Sequence, residues 1–132
     1  MVEAYTEAGL KPEDITYINA HGTSTHLNDM LETKAVKIAL GEEQARKVKI
    51  NSTKSMTGHM LGGTGAVEAA VCALSIRDSF IHQTIGYTTP DPECDLDYCV
   101  DGPVEMPVNA ALSNSLGFGG HNATLCFKKC MD

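Results

Sequence analysis

Residues 64 to 78, TGAVEAAVCALSIRD, constrain the fold more than any other run in the chain. Ala66, Val67, Ala69, Ala70, Val71, Cys72, Ala73, Leu74 and Ile76 surround the predicted helix on every side, with Glu68 as the one charge before Arg77. A helix that is apolar around its whole circumference must be covered around its whole circumference. One sheet covers one face, so the other face requires a second layer from a polypeptide segment that this chain lacks. The many alanines suit close packing against another helix.

Strands and helices alternate around this element. Residues 2 to 8 read as a helix closed by Gly9 and Pro12, and ITYINA (15 to 20) as a buried strand leading into the loop HGTST. Asn28 or Asp29 can cap a helix over MLETKAVKIAL (30 to 40), with Leu31, Ala35, Ile38 and Ala39 on one face and Gly41 as its stop. KVKIN (47 to 51) alternates as a strand, and STKSMTGHMLGG follows as a loop before the apolar helix. Strand signals return at 81 to 85, 108 to 114 and 123 to 129, and the prolines gather in a long surface loop between the first two. This order predicts an α/β layered domain spanning 1–132, with a mixed sheet of about five strands and helices on both faces.

A net charge of −7, with ARKVK and FKK as the longest basic runs, excludes a nucleic-acid surface and a basic membrane face. The N-terminus has neither the basic nor the apolar region of a secretory signal. The longest apolar stretch falls short of the roughly 20 residues a membrane span needs. A cytoplasmic protein is expected. Five cysteines (Cys72, Cys94, Cys99, Cys126 and Cys130), odd in number and without a C-x-x-C pair, predict free thiols rather than a disulfide framework or a zinc site.

Two loops leave strand ends in the same direction, where open α/β sheets bind ligands. One carries His21 and the other Lys54 and His59, with Gly22 and Gly58 beside the histidines and several Ser and Thr around them. Two neutral imidazole N–H groups aimed at one carbonyl oxygen would stabilise a developing enolate. Lys54 would add positive potential, balanced by Glu68. A third glycine-rich turn, SLGFGGHN (115 to 122), sets Phe118 between Gly117 and Gly119, where its backbone N–H is accessible. GGTG (62 to 65) lacks the order of a phosphate-binding loop. His26, His82 and His121 read as structural or exposed.

NAHGTST, STKSMTGH with GGTGAVEAA, and SNSLGFGGHNATLCFKK, in that order, closely resemble the C-terminal half of elongating β-ketoacyl-acyl-carrier-protein synthases of type II fatty-acid synthesis. Modular polyketide ketosynthases are near relatives, but they usually read HGTGT at the first motif. The resemblance implies a thiolase-like fold of two similar halves, the apolar helix being one of a central pair. It implies that His21 and His59 hold the malonyl thioester carbonyl and that Lys54 organises the site with Glu68. It also implies that Thr23 and Thr25 hydrogen-bond the pantetheine arm, and that Phe118, next to Gly119, gates the pocket and offers its N–H to the acyl oxyanion. Asn19, Glu68, Ser113 and Asn114 match positions that surround a structural cation in some members. No cofactor is expected beyond the phosphopantetheine arm on the carrier-protein substrate.

Departures from the family pattern are His26 where proline is usual, Leu116 where phenylalanine is common, and His121 where threonine is frequent. Leu116 bears on chain length, since it would line the acyl pocket. The family's nucleophilic cysteine lies in the other half, and no cysteine here has a helix N-terminus to lower its pKa. The expected partners are therefore acyl carrier protein, the N-terminal half and, once complete, a second copy in a homodimer, with neither nucleic acid nor membrane. The isolated chain would be inactive. The alternatives are a non-catalytic half-domain that binds a carrier protein or partner half, self-pairing through the apolar helix, a truncated gene product or expression fragment, or a polyketide ketosynthase fragment.

Overall fold

The structure is a computed structural model that describes residues 1–130. In chain order the elements are α1 (Val2–Glu7), β1 (Tyr17–Asn19), α2 (His26–Leu40), α3 (Glu42–Ala45), β2 (Lys49–Asn51), α4 (Lys54–Thr57), α5 (Thr64–Asp78), β3 (Phe80–Ile81), β4 (Val104–Glu105), β5 (Ala110–Leu116) and β6 (Asn122–Lys128). The main sheet has the order β2-β1-β5-β6; β1 runs parallel to β2 and β5, and β6 closes it antiparallel to β5. β3 and β4 form a separate two-stranded antiparallel pair. The expected mixed sheet with helices on both faces is present as four strands plus two rather than five.

Alternation along the strands sorts two cores. Ile18, Ala20, Ile50, Ala110 and Leu112 point to one face, where they pack with Tyr5, Val36, Leu40 and Ala45 of the α1, α2 and α3 layer and with Val48 just before β2. Tyr17 and Ala111 point to the other, against Cys72 of α5, Ile81, Cys99 and Val108. Burial on both faces explains why β1 has no exposed residue.

α5 occupies the predicted span, but its orientation is unexpected. The stripe it turns inward is Thr64, Glu68, Cys72 and Ser75, whereas Ala66, Ala70 and Ala73 are exposed, as are Val67 (36%) and Leu74 (45%). Its most polar side faces inward, because Glu68 pairs with Lys54 of α4 and Thr64 bonds His59 and Met60 in the loop before α5. The apolar side has no cover among the described residues.

Other expectations need correction. α2 begins at His26 with Thr25 as N-cap, four residues before the predicted start, and neither Asn28 nor Asp29 caps it. The predicted apolar face is largely outward, with Leu31 49% and Ile38 84% exposed, while Glu32, Thr33, Val36, Ala39 and Leu40 are buried. Polar anchors set this rotation: Glu32 binds loop amides and Thr33 bonds Tyr98 Oη at 2.5 Å. The predicted strand at 81–85 shrinks to the two residues of β3, since residues 82–85 bond the loop after β2 instead. That loop itself contains the short α4. Among the described residues no helix is long and apolar enough to cross a membrane.

Candidate active site

The C-terminal ends of the parallel strands β1 and β2 release the two loops that carry the candidate groups. Gly22 lets them meet: its φ is +42°, and a Cβ there would lie 2.6 Å from Ser52 Cβ. Ser52 Oγ donates to the Gly22 carbonyl at 2.7 Å, stitching the loops together. From the other side Glu32, 5% exposed, accepts from the His21 and Gly22 backbone N–H groups, both at 2.9 Å, and from Asn114 Nδ2 at 3.1 Å. A carboxylate filled by three donors fixes the His21 backbone. Sequence reading missed Glu32; the available signal was a charge in register with Val36 and Leu40, one and two turns on.

The rings of His21 and His59 stand edge to face, with centroids 5.6 Å apart and planes at 84°. His59 Nδ1 accepts from Leu61 N–H at 3.1 Å, so in the neutral ring the proton sits on Nε2. Thr64 Oγ1, 3.1 Å from the same Nδ1, accepts from Met60 N–H and so donates its own proton to the ring. Two donors on Nδ1 leave Nε2–H as the free donor of His59. Partial burial, helped by the charge of Lys54 and opposed by Asp29, lowers the His21 pKa from 6.5 to about 4. His21 is therefore neutral at physiological pH.

Lys54 is the first residue of α4 and reaches α5, where Nζ lies 2.5 Å from Glu68 Oε1, with both side chains at least nine-tenths buried. Burial pushes the Glu68 carboxyl pKa upward against the pull of Lys54. Glu68 Oε2 and Asn19 Oδ1 are both buried without a hydrogen-bond partner. Ser113, buried, is the register partner of Asn19 on β5. Oxygen atoms left bare in this way suit a hard cation held by Asn19, Glu68 and Ser113. The Asn114 side chain does not fit the same role, because its Nδ2 binds Glu32 and its Oδ1 accepts from Thr124 at 2.9 Å.

The remaining predicted residues lie around this centre without being bonded to it. Thr23 and Thr25 share a hydrogen bond of 2.8 Å between their hydroxyls. Leu116 ends β5 and is half-buried. Phe118 projects into solvent at 96% exposure, on a turn where Gly119 takes φ +74°. A cavity of about 570 Å³, lined by Gly22, Thr23, Asp29, Lys54, Thr84 and Tyr98 among others, is not lined by either His21 or His59. The edge-to-face histidine pair, rather than this cavity, marks the candidate site.

All five cysteines are free. Cys72 is buried in mid-α5, where burial pushes its thiol up to about 12, so it cannot serve as a thiolate nucleophile. The site thus offers neutral N–H donors beside a buried ion pair. It can polarise a carbonyl; it does not supply a nucleophile.

A parallel three-stranded core with an antiparallel fourth strand, a helix layer on each face and a histidine pair at the strand ends define a layered α/β domain of the thiolase-like ketosynthase kind. The family model for "Beta-ketoacyl synthase, C-terminal domain" matches residues 1–88, and the chain belongs to that family. It is 54% identical over 129 residues to 3-oxoacyl-[acyl-carrier-protein] synthase 2 of Staphylococcus aureus, covering 98% of this chain and 31% of that protein. The identity to the Synechocystis sp. protein of the same name is also 54%, over 96% of this chain and 30% of the relative. Among solved structures, a ketosynthase bound to a hexaketide and to its type II polyketide acyl-carrier protein superposes with a TM-score of 0.93 at 41% identity, over 97% of this chain and 31% of that one. A β-ketoacyl synthase from Burkholderia phymatum gives a TM-score of 0.88 at 36% identity, over 97% and 31%. The chain spans about a third of the length of these relatives.

Proposed function

We propose that these 132 residues act as the C-terminal part of a β-ketoacyl-acyl-carrier-protein synthase, an acyltransferase of fatty-acid elongation, and supply the half of its site that decarboxylates malonyl thioester. The observation that carries this reading is the neutral histidine pair, with His59 Nε2–H free to donate, beside the buried Lys54–Glu68 ion pair.

His21 and His59 hydrogen-bond the malonyl thioester oxygen. The bond from Cα to the carboxylate breaks, CO₂ leaves, and its electron pair becomes an enolate whose negative oxygen lies against both N–H donors. Donors that are neutral and fixed in place need no reorganisation as charge develops. Lys54 adds positive potential while Glu68 anchors its ammonium group. The enolate carbon then attacks an acyl thioester on a cysteine contributed by the remaining two thirds of the enzyme; a carbon–carbon bond forms and the cysteine thiolate departs.

Thr23 and Thr25 bind the phosphopantetheine arm of the carrier protein, so no separate cofactor is needed. Phe118 swings over the acyl pocket and offers its N–H to the acyl oxyanion, with Gly119 as the pivot and Leu116 at the wall. A structural cation held by Asn19, Glu68 and Ser113 would neutralise the bare buried oxygens of the first two. The remainder of the enzyme covers the apolar side of α5, and the complete protein works in the cytoplasm as a homodimer. The polyketide reading draws on the ketosynthase with the highest structural overlap quoted above, whereas the greater sequence identity to fatty-acid synthases favours elongation.

The test is product formation. The full-length protein, given acyl- and malonyl-carrier protein, is expected to yield β-ketoacyl-carrier protein by mass spectrometry, and the 132-residue chain alone to yield none. Product from the isolated chain, or none from the full-length protein, refutes the proposal.

A further inference from the structure

Residues 82–85 run beside the end of β2 and the segment after it, and bond every second residue from Asn51 to Ser55. Asn51 Nδ2 donates to the His82 carbonyl at 2.6 Å, Thr53 Oγ1 meets His82 Nε2 at 3.0 Å, and Ile85 N–H donates to Ser55 Oγ at 3.2 Å. Lys54, between the last two of these positions, is left to reach Glu68. Behind Asn51, Tyr17 Oη donates to its Oδ1 at 2.7 Å.

The direction of the bonds around Thr53 follows from their ends. His82 Nδ1 lies 2.8 Å from the Gln83 carbonyl, which can only accept, so Nδ1 carries a proton, and in the neutral ring Nε2 is then an acceptor. The Thr53 hydroxyl therefore donates to His82 and accepts from Asn19 Nδ2 at 2.7 Å. Thr53 is 3% exposed, so its proton has no water to turn to. The chain Asn19 to Thr53 to His82 has one consistent polarity, and it passes through Thr53, the residue that immediately precedes Lys54.

We propose that His82 is a positioning residue for Lys54: its neutral ring accepts from Thr53 and thereby fixes the start of α4, from which Lys54 reaches Glu68. This rests on the decarboxylating role proposed for the site. A side chain that cannot accept leaves a buried hydroxyl unpaired and frees the loop to shift, and Lys54 then loses its alignment while the surfaces that bind substrate stay as they are.

The experiment compares His82→Leu, His82→Gln, Thr53→Val and the double variant His82→Leu/Thr53→Val in malonyl-carrier-protein decarboxylation by the full-length protein. His82→Leu and Thr53→Val are each expected to lower kcat by about tenfold with KM within about twofold, and the double variant to be no worse than either. His82→Gln, whose carbonyl oxygen can stand where Nε2 stands, is expected to recover most of the rate. Equal loss in His82→Leu and His82→Gln, or an unchanged rate in His82→Leu, overturns the proposal. Should the leucine variant not fold, ¹⁵N NMR of the wild-type ring decides: a protonated Nδ1 with bare Nε2 is expected, and the opposite tautomer refutes it. Wild-type protein that leaves malonyl-carrier protein intact would instead refute the proposed function, and the NMR result would still judge the network.

Discussion

Lys54 Nζ and Glu68 Oε1 lie 2.5 Å apart in a setting where the two side chains are 5% and 1% exposed. The ion pair joins α4 to α5 across a buried space, and Glu68 has a second oxygen there without a partner. A pair in this position is costly to break and much less costly to replace whole. Glu68→Ala in the 132-residue chain should therefore destabilise it by roughly 3–5 kcal/mol in urea unfolding, because the lysine is left charged and buried. Lys54→Met combined with Glu68→Leu should recover most of that loss. A double variant no more stable than Glu68→Ala would show that the pair acts through something other than mutual compensation.

The His21 pKa, held near 4 by burial and by the Lys54 charge, has a pH signature. The unfolded chain protonates this ring near its ordinary 6.5, while the folded chain resists until about 4. His21 thus contributes stability that is complete above pH 6.5 and is lost as pH falls through that window toward 4. An NMR titration of the ring should show it neutral at pH 6, and a midpoint at or above 6 would contradict the site as described.

Gly22→Ala should damage the site without touching a catalytic group. The backbone sits at φ +42° and the new methyl would meet Ser52 Cβ at 2.6 Å. Strain and overpacking together should cost at least about 2 kcal/mol in an unfolding titration. Adding Ser52→Gly should relieve the clash while leaving the backbone strain, so recovery should be partial. Full recovery would mean that φ at this position carries no strain.

The apolar side of α5 predicts a separation between folding and assembly. Ala70 is exposed on that side, so Ala70→Glu should change the unfolding free energy of the isolated chain by no more than about 0.5 kcal/mol. In the full-length protein the same charge would be buried, and soluble folded yield should collapse. Light scattering of the wild-type isolated chain should give a monomer or a heterogeneous aggregate; a discrete dimer abolished by Ala70→Glu would instead establish self-pairing through α5.

Much of this architecture was legible in the sequence, for reasons tied to particular residues. The span of α5 followed from the apolar run at 66–76, and the positions of His21, Lys54 and His59 after strand ends followed from the alternation of strands and loops. The inward face of α5 was not legible, because Thr64 and Glu68 turn inward for partners on other elements. The rotation of α2 escaped for the same reason: Glu32 is bonded to amides ten and eleven residues earlier, a relation that helical periodicity does not encode. His82 read only as structural or exposed, because its partner Thr53 lies 29 residues away. Polar contacts that cross between elements decided each of these cases.

The most direct test of the central claim, that His21 and His59 stabilise the enolate left by loss of CO₂, is the release of labelled CO₂ from malonyl-carrier protein by full-length wild type, His21→Ala and His59→Ala. Each substitution should slow release by roughly two to three orders of magnitude, the usual consequence of losing one oxyanion donor. Release that continues at the wild-type rate in either variant would remove that histidine from the chemistry and contradict the account.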